Sequence, residues 1–310
     1  MSKGLKKILA VSLGGTIASS FSEDTVVLGG TSISAAALEN IDRRFSVSLI
    51  NPISYSSENA TVSDYRTALS FAAAEASKIH ADAILFMHGT DSMAYFAQLA
   101  VRCLSYLDIP VVITGSKRPP EQDGSDAVKN LQTSMGILSA AIKDKSGART
   151  FGIVFEDSYT GVSSFVDATQ CSSPDVNGDI VTFVDRSSDE YAKFKKRKKA
   201  PFANDTYKDL AKSFFKSDKD IKIAIVPAVP GQTVLNFAGA DAVLIEAYHS
   251  GTADIKLKDL LPKDIPVYMA PVPSNCNVYE SRKILEVSGV KVLPGIPFEG
   301  AWAEAVLQNA

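Results

Sequence analysis

Cysteine is scarce in this chain: Cys103, Cys171 and Cys276 are the only three, they lie far apart, and their odd number leaves at least one unpaired. A disulfide framework is therefore not indicated, and their spacing follows no zinc-ligand pattern. We expect a reducing, cytoplasmic setting, no metal and no cofactor. An excess of one charge is also missing. Lys and Arg number 32 against 35 Asp and Glu, and the net charge of −3 is spread along the sequence. No basic face can neutralise a phosphate backbone, so nucleic acid is not an expected partner. No apolar run approaches the ~20 residues needed to cross a bilayer, and no membrane is expected as a partner. The opening MSKGLKKILAVSLGG superficially resembles a secretory leader. Its apolar stretch is short and runs into a glycine turn without a small-residue cleavage site, so it reads as a first core strand.

What is present is ordinary globular material. At 310 residues, with 45% hydrophobic and 22% charged, the chain can bury a sizeable core in one large domain or two moderate ones. Apolar runs of strand length alternate with helical periodicity, the pattern of a parallel sheet with crossover helices. ILAVSL (Ile8 to Leu13), AILFMH (Ala83 to His88), PVVITG (Pro110 to Gly115) and FGIVFE (Phe151 to Glu156) read as strands covered on both faces. SVSLIN (Ser46 to Asn51) reads as another. Helical periodicity runs over 63–78, 93–107 and 126–142. After Asp185 a polar, basic stretch carries no apolar stripe and reads as a solvated linker, with Lys193 to Lys199 an exposed charged turn. The alternation resumes with strands at 221–226, 242–248, 266–272 and 290–295. The expected fold is therefore α/β: a larger N-terminal parallel-sheet domain with flanking helices (1–186), a linker (187–220) and a smaller C-terminal α/β domain (221–310).

In open parallel sheets, ligands bind beyond the carboxyl ends of the strands, where loops and helix N-termini converge. Polar residues follow several strands directly: Gly14-Gly15-Thr16, Ser56-Ser57-Glu58-Asn59, His88-Gly89-Thr90-Asp91-Ser92 and Gly115-Ser116-Lys117-Arg118-Pro119. Each has a purely structural reading. Gly14-Gly15-Thr16 fits a turn with a helix N-cap, and Thr90-Asp91 fits the cap of the helix from Met93. Gathered on one sheet edge, such ends are harder to explain as caps alone. A phosphate-cradling loop at Gly14-Gly15-Thr16 lacks both the spaced glycines of a dinucleotide fingerprint and the lysine of a P-loop. His88 reads as a hydrogen-bonded structural histidine, and Trp302 as core in a helical C-terminal segment.

SLGGTIA (Ser12 to Ala18) resembles the first signature of the bacterial-type L-asparaginase/glutaminase family, and MHGTDSMAYFA (Met87 to Ala97) resembles its second. VVITGSKRP (Val111 to Pro119), SDAVKNL (Ser125 to Leu131), VPAVPGQ (Val226 to Gln232), IEAYHSGTA (Ile245 to Ala253) and PVPSNCNVY (Pro271 to Tyr279) are similar to later segments, in order. The resemblance implies a two-domain α/β hydrolase, a homodimer or homotetramer, that cleaves the side-chain amide of asparagine or a related small amino acid without a metal. It puts Thr16 at the nucleophile position and Thr90 and Asp91 at those of the second threonine and the carboxylate that holds the substrate ammonium. Ser57 and Glu58 fall at the pair that grips the α-carboxylate and α-amino group, with Gly89 and Ser116 as further pocket residues. The physics fits these roles. A threonine hydroxyl must lose its proton as it attacks, the resulting oxyanion needs preorganised donors, and a zwitterion needs both signs of charge.

Two departures stand out. The family's relay lysine, within a Gly-Arg-x-x-x-Lys stretch, corresponds here to DSYTGVSSFVDATQ (Asp157 to Gln170), which has no lysine or arginine and puts Val166 at the lysine position. The loop that carries a tyrosine against the nucleophile reads SSFSEDTVVLGG (Ser19 to Gly30) and has none, although Phe21 keeps a ring. Three explanations follow: Lys117 supplies the missing ammonium, the substrate is a different amide, lactam or amidine handled by Thr16 and Thr90 alone, or the chain is a binding or regulatory protein that keeps the amino-acid pocket without turnover. His249, after Tyr248, is a minor candidate contributor.

Overall fold

The apolar runs form the strands of a sheet whose order decides where the polar loops meet. The computed structural model describes residues 4–22, 25–27, 33–156, 162–174, 180–182, 200, 202–231, 235–274 and 278–310. Two compact units emerge, Met1–Phe215 and Lys216–Ala310.

In the first unit, β1 (Lys6–Ser12), β4 (Phe45–Ile50), β5 (Ala83–Met87), β6 (Val111–Thr114), β7 (Phe151–Glu156) and β8 (Ser163–Asp167) form a six-stranded sheet in the order β4-β1-β5-β6-β7-β8. All neighbours are parallel except β8, which runs antiparallel to β7. β5 and β6 are buried along their whole length, as strands covered on both faces must be. On one face, Ile8, Ala10, Leu85, Met87, Val112 and Val154 form a core with α1 (Ala35–Ile41) and α4 (Ala127–Lys143). The alternate residues, among them Leu9, Val11, Ile84, Phe86 and Ile113, are buried on the other face. That is the side of α2 (Val62–Ile79) and α3 (Met93–Leu104), which pack together and against β1 and β7 respectively. A capping box of Thr61 and Asp64 starts α2. Nearly every residue of α3 is buried, because α3 is also covered by β9 (Cys171–Pro174), which pairs with β10 (Ile180–Thr182).

From β1 the chain passes through α1 to β4 on one side, then returns through α2 to β5 on the other. The sheet therefore reverses direction beside β1, and the loops after β1 and β5 part to opposite faces. Such a switch point opens a crevice at the carboxyl edge. The strand-end loops expected to share an edge do so, in the spatial order 56–59, 14–16, 88–92, 115–119.

Some elements carried too little periodicity to be read in advance. The hairpin of β2 (Ser20–Ser22) and β3 (Thr25–Val27) and the short α1 are among them. The first part of the expected linker, including Lys193 to Lys199, lies outside the described residues. Its described end is largely helical: α5 (Asp205–Lys216) buries Ala211 and Phe214, and the guanidinium of Arg66 lies 5.0 Å from the Phe214 ring.

The second unit is a four-stranded parallel sheet in sequence order: β11 (Ile223–Pro227), β12 (Ala242–Glu246), β13 (Val267–Val272) and β14 (Lys291–Pro294). One face is covered by α6 (Leu257–Leu260) and α7 (Glu280–Val287), through Leu257 and Leu285. The other is covered by α8 (Phe298–Gln308), where Ala301 and Ala305 are core and the partly buried Trp302 packs beside them. Among the described residues no helix is long and apolar enough to cross a membrane.

Candidate active site

Glycine decides how closely the loops approach. Gly15 has φ 74°, a left-handed conformation that L side chains rarely adopt, and a Cβ there would collide with the Cα and amide nitrogen of Gly89. A Cβ on Gly89 would lie 2.5 Å from Ser57 Oγ and 3.3 Å from Gly15 Cα. The loops carrying Thr16 and Thr90-Asp91 therefore meet backbone to backbone where two methyl groups are missing, and the Ser57 side chain packs against the same point. A further bridge between Gly14 and Tyr55 continues the β1–β4 side of the sheet into this junction.

Around it the polar groups are ordered. Ser57 is buried; its hydroxyl donates to Asp91 Oδ2 at 2.9 Å and accepts the Asp91 N–H at 3.2 Å. The Ser92 hydroxyl donates to the Ser57 carbonyl at 2.6 Å, tying the loop after β5 to the turn Ser57–Asn59. Asp91 and Glu58 are exposed residues of two loops that the Ser57–Asp91 hydrogen bonds join. Thr16 and Thr90 are half-buried, and among the described residues neither hydroxyl has a hydrogen-bond partner.

The loop after β6 is fixed from below. Asp126 is buried, and its carboxylate accepts the Lys117 N–H at 2.9 and 3.1 Å, the Arg118 N–H at 3.3 Å and Asn130 Nδ2 at 2.9 Å. Asn130 also donates to the Gly115 carbonyl at 3.0 Å and accepts the Ser163 hydroxyl at 2.7 Å. Ser116 is buried, with its hydroxyl donated to the Arg118 carbonyl at 2.7 Å, inside its own loop. Lys117 is exposed, and its ammonium lies 5.6 Å from the centroid of Phe155, a residue of the strand beyond β6 from Thr90.

Val166 sits in β8 opposite Ile153, within the strand pair; Ser163 is the residue opposite Glu156 at the carboxyl end of β7. That end carries an ammonium of another origin: Lys129, in the first turn of α4, pairs with Glu156 at 3.0 Å. Residues 157–161 lie outside the described residues. Phe21 belongs to β2, and His249 is an exposed residue of the second unit. Asp126, Asn130, Lys129 and Tyr55 escaped sequence reasoning. Only the i, i+4 spacing of Asp126 and Asn130 hinted at a shared task.

His88 is fully buried and neutral. Burial pulls its pKa from 6.5 down to about 4, against the opposing pull of its bond to the Gly89 carbonyl and of Asp91. Its Nδ1 lies 2.6 Å from the Gly89 carbonyl, which can only accept, so the proton is on Nδ1. Nε2 then accepts the Tyr55 hydroxyl at 3.0 Å. The ring stacks on Phe96 at 4.7 Å and is flanked by Tyr65 at 5.9 Å. Burial also pushes the Tyr55 and Tyr65 phenols up, so both stay protonated. Among the described residues no group of three or more His, Cys, Asp or Glu could hold a metal ion.

Comparison with known proteins gives this geometry a family context. The model of the asparaginase N-terminal domain matches residues 7–178. Among sequence relatives, one of the subunits of the glutamyl-tRNA(Gln) amidotransferase of Thermoplasma acidophilum is 30% identical over 137 residues, 44% of this chain and 33% of that protein. An L-asparaginase of Bacillus licheniformis is 38% identical over 79 residues, 24% of this chain and 22% of that protein. The chain thus spans about a third or less of the length of these curated relatives. Among solved structures, a probable cytoplasmic L-asparaginase of Campylobacter jejuni superposes with a TM-score of 0.67 at 18% identity, over 98% of this chain and 94% of that one. The thermostable L-asparaginase of Thermococcus kodakarensis gives 0.63 at 17%, over 97% and 96%. These structures share the fold.

Two outcomes follow from the packing. Gly15→Ala should destabilise the chain by ~3 kcal/mol or more, because the methyl meets backbone and the φ is strained. Gly136→Ala, with nothing within 4 Å of its Cβ inside α4, should be neutral or stabilising by up to ~1 kcal/mol. Urea unfolding of both variants checks the contrast. His88 takes up a proton more readily unfolded than folded, so its contribution is full above pH 6.5, falls as pH drops from 6.5 to about 4, and is constant below. The total loss is roughly 3 kcal/mol. The stability gap between the native chain and His88→Asn, measured by urea unfolding at pH 7.5 and pH 4, should shrink by about that amount.

Proposed function

The chain belongs to the asparaginase family, and from that premise we propose that it hydrolyses the side-chain amide of asparagine or a related small amino acid, without a metal, through an acyl-threonine on Thr16. The observation that carries this reading is the contact of Gly15 with Gly89, which brings the loops of two unengaged threonine hydroxyls together at the sheet's switch point. Asp91 and Glu58 are the groups for the substrate's ammonium. In the unliganded arrangement the Ser57 hydroxyl donates to Asp91. A bound ammonium takes that place on the carboxylate, and the released hydroxyl proton then serves the substrate's α-carboxylate. The zwitterion is thus matched by an exchange of partners, with no charge left bare in a partly dry site. Thr16 Oγ attacks the amide carbon, the carbonyl oxygen becomes an oxyanion, and backbone N–H groups beside Thr90 stabilise it. Ammonia leaves, and water releases the acid. Gly89 and Ser116 complete the pocket wall. We place the enzyme in the cytoplasm as a homodimer or homotetramer.

The proton of Thr16 needs an acceptor. Lys117 is our candidate: its backbone is clamped by Asp126, and its four-carbon stem can swing the side chain from Phe155 toward Thr90, where as the neutral amine it takes the Thr16 proton and hands it to the departing amide nitrogen. The lack of any lysine or arginine over 157–170, with Val166 inside a strand pair, favours a second reading, an amino-acid binder without turnover. Hydrolysis of a different amide or lactam by the two threonines alone is a variant of the first. The relatives named as amidotransferase subunits point to a related use of the same chemistry, release of an amide nitrogen for transfer to another acceptor.

Ammonia release from asparagine, alongside the heat-shift it produces, separates these readings: a shift without turnover sinks the enzyme. Thr16→Ala should abolish turnover and leave the shift, and full activity in that variant would contradict the mechanism. Lys117→Met should lower kcat by ~100-fold or more if it is the base, and an unchanged rate dismisses it.

A further inference from the structure

Beneath the junction of the threonine loops runs a chain of buried hydrogen bonds that the catalytic scheme does not use. Tyr55 N–H donates to the Leu13 carbonyl at 3.2 Å, which ties it to the loop of Thr16. Its hydroxyl donates to His88 Nε2 at 3.0 Å, and His88 Nδ1–H donates to the Gly89 carbonyl at 2.6 Å. His88 is held at both main chain and ring: its backbone N–H donates to the Thr114 carbonyl at 2.9 Å, Phe96 stacks on the face of the imidazole, and Tyr55 meets its edge. Nothing in this chain is free to turn.

The Gly89–Thr90 peptide is trans, the sole cis bond of the described residues being Ala270–Pro271. In a trans peptide the C=O and the next N–H point opposite ways. A carbonyl pulled into the core by His88 therefore turns the Thr90 N–H outward, and among the described residues that N–H has no acceptor. A glycine at position 89 could otherwise rotate this peptide at little cost. We infer that the Tyr55–His88 pair is a positioning device, which locks the Gly89–Thr90 peptide so that the Thr90 N–H faces the cleft as a preorganised donor to the oxyanion.

The inference rests on the amide-hydrolysis reading, and it makes His88 a positioning residue that never touches substrate. Its distinctive demand is for a donor at one ring position. An asparagine amide nitrogen falls near Nδ1 and keeps the bond to Gly89, whereas a glutamine amide nitrogen reaches toward Nε2 and does not. His88→Asn should keep kcat within ~3-fold of native, while His88→Gln should lose ~100-fold in kcat with KM within ~3-fold, the loss expected when one oxyanion donor is misaligned. Their melting temperatures should be alike, since both lose the ring. Equal kcat in the two variants, or a loss that appears in KM, overturns the proposal. Should either variant fail to fold, Tyr55→Phe removes only the hydroxyl and should lower kcat ~10-fold at unchanged KM; native kcat there overturns it. An independent readout keeps the two readings apart. Long-range 1H–15N spectra of the native chain should show His88 as the Nδ1–H tautomer between pH 6 and 8. A native chain with that tautomer and no turnover sinks the amide-hydrolysis reading alone. The Nε2–H tautomer sinks the positioning proposal whatever the turnover.

Discussion

Two missing side chains hold the candidate site together. Where Gly15 and Gly89 meet, neither backbone could carry a Cβ, and the Ser57 side chain closes the remaining gap. A close backbone approach of this kind converts sheet topology into chemistry. β1 and β5 are neighbours in the sheet, so the loops after them start side by side, but only glycine lets them touch, and the proposed sharing of one substrate by two threonines depends on that contact.

Charge is distributed around that junction with a clear division. Groups that must stay neutral and fixed lie below it: His88, its proton on Nδ1, and the phenols of Tyr55 and Tyr65, all held by burial. The groups proposed to meet an ionic substrate, the carboxylates of Asp91 and Glu58, belong to exposed residues. Asp126 works differently, as a buried carboxylate satisfied by backbone N–H groups of the loop after β6. It fixes the start of Lys117 while leaving the far end of that side chain on the surface, an arrangement suited to a mobile cation.

Much of the scaffold was legible in the sequence because it depends on periodicity. Runs such as AILFM and FGIVF are apolar along their whole length only when both faces are covered, and they lie in β5 and β7. The polar residues after each strand could be named for the same reason, since a strand's end is visible in composition. What escaped depends on tertiary contact. Nothing local distinguishes Tyr55 from any tyrosine in a loop, and its place between Leu13 and His88 follows from the return of the chain beside Gly14. Lys129 reads as an ordinary helix cation until α4 is laid beside the end of β7. The helix α5 was hidden because its buried residues, Ala211 and Phe214, come at the far end of a strongly polar stretch.

The central claim is that three strand-end loops form one cleft for a single amino acid. Titration with L-aspartate, the acid that asparagine hydrolysis would release, followed by 1H–15N spectra, tests this directly. The account predicts that the backbone amides of 15–16, 57–58 and 90–91 shift together with one dissociation constant. Shifts confined to one loop, or separate constants for different loops, would contradict it.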